Sequence, residues 1–156
     1  MRITTFAIGT RMPVWVNEGV ANYQKRLPRH IELVFKELPA AQRGGKISPQ
    51  KQKEKEGEQM LKALREPVYT VALDERGKSW SSTQLAQQLE HWLAQHQHVA
   101  LLIGGADGLA ESVRKRADHV WSLSSLTLPH ALVRVVLAEQ IYRAWTLTQG
   151  HPYHRD

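Results

Sequence analysis

No cysteine occurs among the 156 residues. That excludes disulfide scaffolding, thiolate zinc sites and a cysteine nucleophile, and it suits a reducing cytoplasm. Long apolar runs are also missing: no stretch approaches the roughly 20 residues of a membrane span. The opening Met1-Arg-Ile-Thr-Thr-Phe-Ala-Ile8 is too short and too polar for a signal peptide and reads as a strand. Internal repeats and long linkers are absent as well. The glycines of Gly104-Gly-Ala-Asp-Gly108 lack both a Walker lysine and the full dinucleotide spacing, so neither a nucleoside triphosphate nor a dinucleotide is supported.

What is present is the balance of a globular domain, with 42% apolar and 23% charged residues. The length suits one domain, residues 1–156, with a real core. A formal charge of +6 favours a polyanionic partner, although charge alone does not identify one.

Strand and helix signals alternate along the chain. Arg2–Ile8, Ile31–Leu38, Val68–Leu73, Val99–Ile103 and His119–Leu123 read as strands. Met12–Leu27, a charged helix opened by Pro49 and ending near Leu64, Ser82–Gln95, Leu109–Ala117 and His130–Thr148 read as helices. Val99–Ile103 is wholly apolar, as expected when both faces of a parallel sheet are covered. The fold class is therefore α/β with a mostly parallel sheet.

Strands of a parallel sheet end at one edge, and ligands bind there. Leu73-Asp74, Gly104-Gly105 and the loop Leu123–Leu128 should meet at that edge. Glycines admit a ligand close to the backbone. The loop Leu123, Ser124, Ser125, Leu126, Thr127, Leu128 sets hydroxyls between leucines, offering backbone donors and acceptors beside apolar walls, which suits an adenine ring. The plainer readings stand beside these. The glycine run can be a tight strand-to-helix turn, Asp74 can cap a turn, and the hydroxyls can N-cap the next helix.

The last helix is apolar on more than one face, which fits burial against a second subunit or, alternatively, a central core position. Glu139 and Arg143 stand four residues apart in the favourable order, worth a few tenths of a kcal/mol on an exposed face. The basic segment Arg43, Lys46, Lys51, Lys53 and Lys55, interrupted by Glu54, Glu56 and Glu58, reads as a solvated helix face, although Arg43-Gly-Gly-Lys46 has the flexibility to follow a phosphate backbone. His91, His96 and His98 read as a solvated helix end. The terminal His151, Tyr153, His154 and Arg155 have the inventory to hold a phosphate or a polar base. No carboxylate-histidine helix pair supports a metal there, so no metal is expected.

Taken together, Gly9-Thr-Arg-Met-Pro13, Lys55-Glu-Gly-Glu-Gln-Met60, Ile103-Gly-Gly-Ala-Asp-Gly108, Trp121 through His130, Glu139-Gln-Ile-Tyr-Arg-Ala-Trp145 and His151-Pro-Tyr-His-Arg155 closely resemble the bacterial large-subunit rRNA pseudouridine N3-methyltransferases of the SPOUT superfamily. The resemblance covers essentially the whole chain in order. One departure is Ala106-Asp107, where Pro-Glu is expected.

The resemblance implies a SPOUT-type sheet flanked by helices with a C-terminal trefoil knot, a topology that general connection rules would argue against. It implies S-adenosylmethionine held at Leu73, Gly104 and Leu123 through Leu128. It also implies a homodimer, and a target pseudouridine in a stem-loop of large-subunit rRNA, methylated on assembled ribosomes. Within the tail, His154 is the candidate proton acceptor, Arg155 the candidate charge stabiliser and Tyr153 the candidate base contact.

Overall fold

The computed structural model describes residues 1–41, 46–64 and 67–153. Its elements follow the order β1 (Arg2–Ile8), α1 (Val14–Gln24), β2 (Glu32–Leu38), α2 (Pro49–Ala63), β3 (Tyr69–Ser79), α3 (Ser82–Gln95), β4 (His98–Ile103), α4 (Glu111–Arg116), β5 (His119–Ser122) and α5 (His130–Thr148). The five strands form one sheet in the order β2-β1-β4-β3-β5, and every pairing is parallel.

Side-chain alternation divides the core between the two faces of the sheet. Ile3, Val71, Val99 and Leu101 point with Leu85, Leu89, Trp92, Leu137 and Ile141 into the layer formed by α1, α3 and α5. Phe6, Ala72, Ala100 and Leu102 point the other way, onto Met60 of α2 and Val113 of α4. Helix starts are set locally. Ser48 caps α2 by accepting the Lys51 amide, with Pro49 at the first position. Ser81 and Gln84 form a reciprocal capping box at α3.

β3 runs six residues beyond the expected end at Leu73, to Ser79, with a register irregularity between Leu73 and Lys78. Gly77 makes the extension possible, because a Cβ there would stand 2.7 Å from the Val120 carbonyl group. α5 lies between α1 and α3, and these neighbours with the sheet bury Leu137, Ala138, Ile141 and Ala144. Packing within one chain thus accounts for much of its many-sided apolarity. Leu132 and Val136, one turn apart, are left half-buried.

Several polar readings change in the folded chain. Glu56 is buried, at 2% exposure, instead of lying on a solvated face, and Arg43 of the same basic segment lies outside the described residues. His96 is not simply solvated: it stacks on Tyr69 at 4.5 Å between ring centres. His98 shares a hydrogen bond of 2.9 Å with Thr4 Oγ1.

Candidate active site

The carboxyl ends of β4 and β5 and the middle of β3, where its register shifts, open into a cleft of about 710 Å³. Leu73, Gly104, Leu123, Ser124, Leu126, Thr127 and Leu128 all line it. Ser125 is exposed and lies off its wall. The lining also includes the apolar Ile103 and Val133 of α5 and the charged Asp74, Glu75, Arg76 and Asp107.

The glycine turn is shaped by its own backbone. Gly108 donates its N–H to the Gly105 carbonyl at 3.1 Å and takes a positive φ of 82°. A Cβ at Gly104 would lie 2.5 Å from Gly108 C and 2.8 Å from Leu109 N. The need for glycine at 104 therefore comes from the turn closing on itself, whatever occupies the cleft.

The loop after β5 is held by short local bonds. Ser122 Oγ donates to the Ser124 carbonyl at 3.0 Å, and Ser124 Oγ accepts the Leu126 amide at 2.9 Å. Thr127 Oγ1 donates to Glu75 at 3.1 Å, joining this loop to β3. None of these hydroxyls caps α5, whose N-cap is Pro129 without a side-chain bond. The N-capping alternative therefore does not hold.

Asp74 does form a turn, accepting the Arg76 amide at 2.9 Å, but it also binds Arg114 Nη1 at 3.2 Å. Arg114 in turn donates to the Leu109 carbonyl at 2.9 Å, bracing the glycine turn against β3. Burial alone would raise the Asp74 carboxyl, but the Arg76 amide and guanidinium, helped by Arg114, outweigh it and lower its pKa. Sequence reasoning missed His130 and Val133 as cleft residues. The available signal was position, since both fall in the first turn of a helix that starts at the strand edge.

Tyr153 lies elsewhere. Its hydroxyl donates to Glu139 Oε1 at 3.1 Å, its ring meets Tyr142 edge-on at 4.7 Å, and Arg143 stands over it at 5.3 Å. Glu139 and Arg143 are themselves joined at 2.6 Å on a half-buried flank of α5, not on an exposed face. Burial, then hydrogen bonds with Tyr23 and Glu139, push the Tyr153 phenol well above its ordinary pKa. Nine residues of helix separate His130 from Glu139, about 14 Å at 1.5 Å per residue. Within one protomer Tyr153 is thus not brought to the cleft. His154 and Arg155 lie outside the described residues.

Residues 1–154 match the sequence profile of the family described as "Predicted SPOUT methyltransferase". The chain belongs to that family. It is similar over its whole length to proteins named ribosomal RNA large subunit methyltransferase H. The one from Hahella chejuensis is 53% identical over 156 residues, covering 100% of both chains. The one from Thioalkalivibrio sulfidiphilus is 51% identical over the same span and coverage. Among solved structures, a probable methylase family protein from Haemophilus influenzae superposes with a TM-score of 0.56 at 12% identity, over 99% of this chain and 70% of its own. At that identity the likeness speaks for the fold alone. For a SPOUT methyltransferase, the convergence of the three segments in one cleft makes that cleft the candidate site for the methyl donor.

Proposed function

We propose that this SPOUT methyltransferase uses S-adenosylmethionine to methylate N3 of a pseudouridine in a stem-loop of large-subunit (23S) rRNA, on assembled ribosomes in the cytoplasm. The carrying observation is the full-length similarity to proteins named for large-subunit rRNA methylation. The cleft adds support, because its volume lies within the range of small-molecule sites, roughly 300–1,000 Å³. The whole chain acts as one domain in this reading, with the C-terminal knot that the family resemblance implies.

The cleft fits the donor on chemical grounds. Leu73, Leu126 and Leu128 offer apolar walls for an adenine ring, and the backbone around Gly104 and Leu123–Leu128 offers hydrogen-bonding edges. When bound, S-adenosylmethionine supplies an already activated sulfonium methyl group. The protein must then align the base N3 with that group and take away the N3 proton; alignment is the larger contribution. His154 accepts the proton as a neutral imidazole. Arg155 stabilises negative charge on the base carbonyls or holds a phosphate. Tyr153 stacks on or bonds the target base.

The separation between Tyr153 and the cleft favours a homodimer in which the tail of one protomer serves the cleft of the other. The half-buried Leu132 and Val136 stripe of α5 supplies apolar surface for such a pairing. Mixing a protomer disabled in the cleft with one carrying His154→Ala should restore part of the activity that each lacks alone. No recovery after confirmed subunit exchange would put both elements in one protomer.

The primary test is transfer of labelled methyl from S-adenosylmethionine to ribosomes lacking the modification, with free large subunits and naked rRNA in parallel. Label in rRNA from assembled ribosomes alone is the expected result. Calorimetry should show binding of S-adenosylmethionine and none of ATP. A protein that binds neither, or that labels none of the three substrates, points to a ribosome-binding role without catalysis.

A further inference from the structure

We infer that Glu56, in the middle of α2 and outside the cleft, is a positioning residue that sets the glycine turn for binding the methyl donor. The inference rests on the reading of the cleft as the donor site. Glu56 is 2% exposed, and its carboxylate lies directly behind the turn. A Cβ at Gly105 would stand 3.2 and 3.4 Å from its two oxygens, and 3.1 Å from Ile8 Cγ2. Gly105 is therefore the surface through which Glu56 meets the cleft wall. Gly57, the next residue, lets α2 press onto Ala110, where a Cβ would come within 2.8 Å.

The two oxygens of this carboxylate differ. Oε2 accepts the Ala41 amide at 3.0 Å, tying the turn's backing to the chain just after β2. Oε1 is buried and has no hydrogen-bond partner among the described residues. The gap among Ile8, Glu56, Met60, Gly104 and Gly108 is too small to hold a water, so a bridging water does not resolve it. A buried carboxylate oxygen left without a donor is costly, and it is kept where something uses it. Gly105 of the turn stands beside it, since a Cβ there would lie 3.2 Å from Oε1. Oε1 is the acceptor that takes a backbone N–H of that turn when the donor fills the cleft, so donor binding satisfies a bond the empty turn leaves unmade.

Glu56→Gln tests this while preserving shape. The amide oxygen can still receive Ala41 N–H, but the other position becomes a donor facing donors. Affinity for S-adenosylmethionine by calorimetry should fall about tenfold, the scale of one bond to a charged group. KM for the donor should rise more than kcat falls, while the melting temperature stays near that of the wild type. A second arm uses Gly105→Ala, whose methyl crowds the carboxylate. Its penalty on donor affinity should shrink when Glu56 is already alanine, as contacting residues couple in a double-mutant cycle.

Glu56→Gln with wild-type donor affinity overturns the inference. So do additive effects in the cycle, or affinity losses that track melting temperature in every variant. Those outcomes leave Glu56 a structural brace. Wild-type protein that binds no S-adenosylmethionine overturns the functional reading itself, and this inference with it.

Discussion

The two ends of α5 handle polar groups in opposite ways. At its start, His130 and Val133 border an open cleft whose walls carry leucines and hydroxyls bonded to their own loop. At its end, Glu139, Arg143, Tyr142 and Tyr153 close on one another in a compact polar and aromatic knot of contacts. The first end is open to a ligand and lined by apolar residues together with the charged Asp74, Glu75, Arg76 and Asp107. The second has committed its charges and its phenol to its own helix. Within one protomer Tyr153 and the cleft therefore stand in separate places.

The largest effect should come from the cleft end. Gly104→Ala forces a methyl against the Gly108 and Leu109 backbone, which no side-chain rotation relieves. Overpacking of this kind costs about 1–3 kcal/mol and sometimes more. Donor binding should be lost, with a lowered melting temperature, in calorimetry and thermal unfolding. Normal donor affinity would show that the turn can open freely, and the contrast between a rigid cleft and a committed tail would fail.

Arg134→Leu should rank next. The guanidinium is 4% exposed, binds Glu37 and donates to the Gly9 carbonyl at 2.7 Å, so it ties the first turns of α5 to the ends of β1 and β2. Breaking a fully buried pair costs about 3–5 kcal/mol. Glu37 is 38% exposed and can be rehydrated, so about 2 kcal/mol is expected, read by denaturant unfolding. Because His130 stands one turn ahead of Arg134, donor affinity should fall as well. A stability loss below that of tail substitutions would reverse the ranking of the two ends.

Much of this contrast was visible in the order of residues. Each β strand announced itself by an apolar run or alternation, and a parallel sheet sends the loops that follow its strands to one edge, so the cleft followed from the order of strands. The extension of β3 did not, because Asp74-Glu-Arg-Gly-Lys78 reads as a polar turn. Only the close passage of Gly77 over Val120 makes it a strand. Glu56 looked like one of several alternating charges on a wet helix face. Its burial arises from the glycine turn of a distant segment docking on α2, which no local pattern contains. The site of Tyr153 was hidden for the same reason, since its partners Tyr23 and Glu139 are brought to it by tertiary packing.

Tyr153→Phe probes the other end and should act mainly through pH. Loss of one hydrogen bond to Glu139 costs about 1 kcal/mol at neutral pH. The folded state holds the phenolic proton more tightly than the unfolded chain does, because burial and the nearby Glu139 raise its pKa. That stabilisation is complete below the ordinary phenol value of about 10 and is lost as pH rises beyond it. Wild-type stability should therefore fall more steeply than that of the phenylalanine variant in alkaline unfolding titrations. Parallel curves would mean that Tyr153 leaves its helix readily, and the tail would not be committed.

Leu126→Ala should have the smallest effect on the fold and the most specific effect on the site. Leu126 is 72% exposed although it is a large apolar residue on the cleft loop. Exposed substitutions of this kind usually change stability within about 0.5 kcal/mol. If the loop supplies an apolar wall for the donor, affinity should still drop several-fold, because contact area is lost only in the bound state. Unchanged stability with weakened binding would separate the loop's ligand role from any structural one, which Gly104→Ala cannot do. Unchanged binding would instead confine the wall to Leu73, Leu123 and Leu128 and leave the tip of the loop for the partner protomer or the RNA.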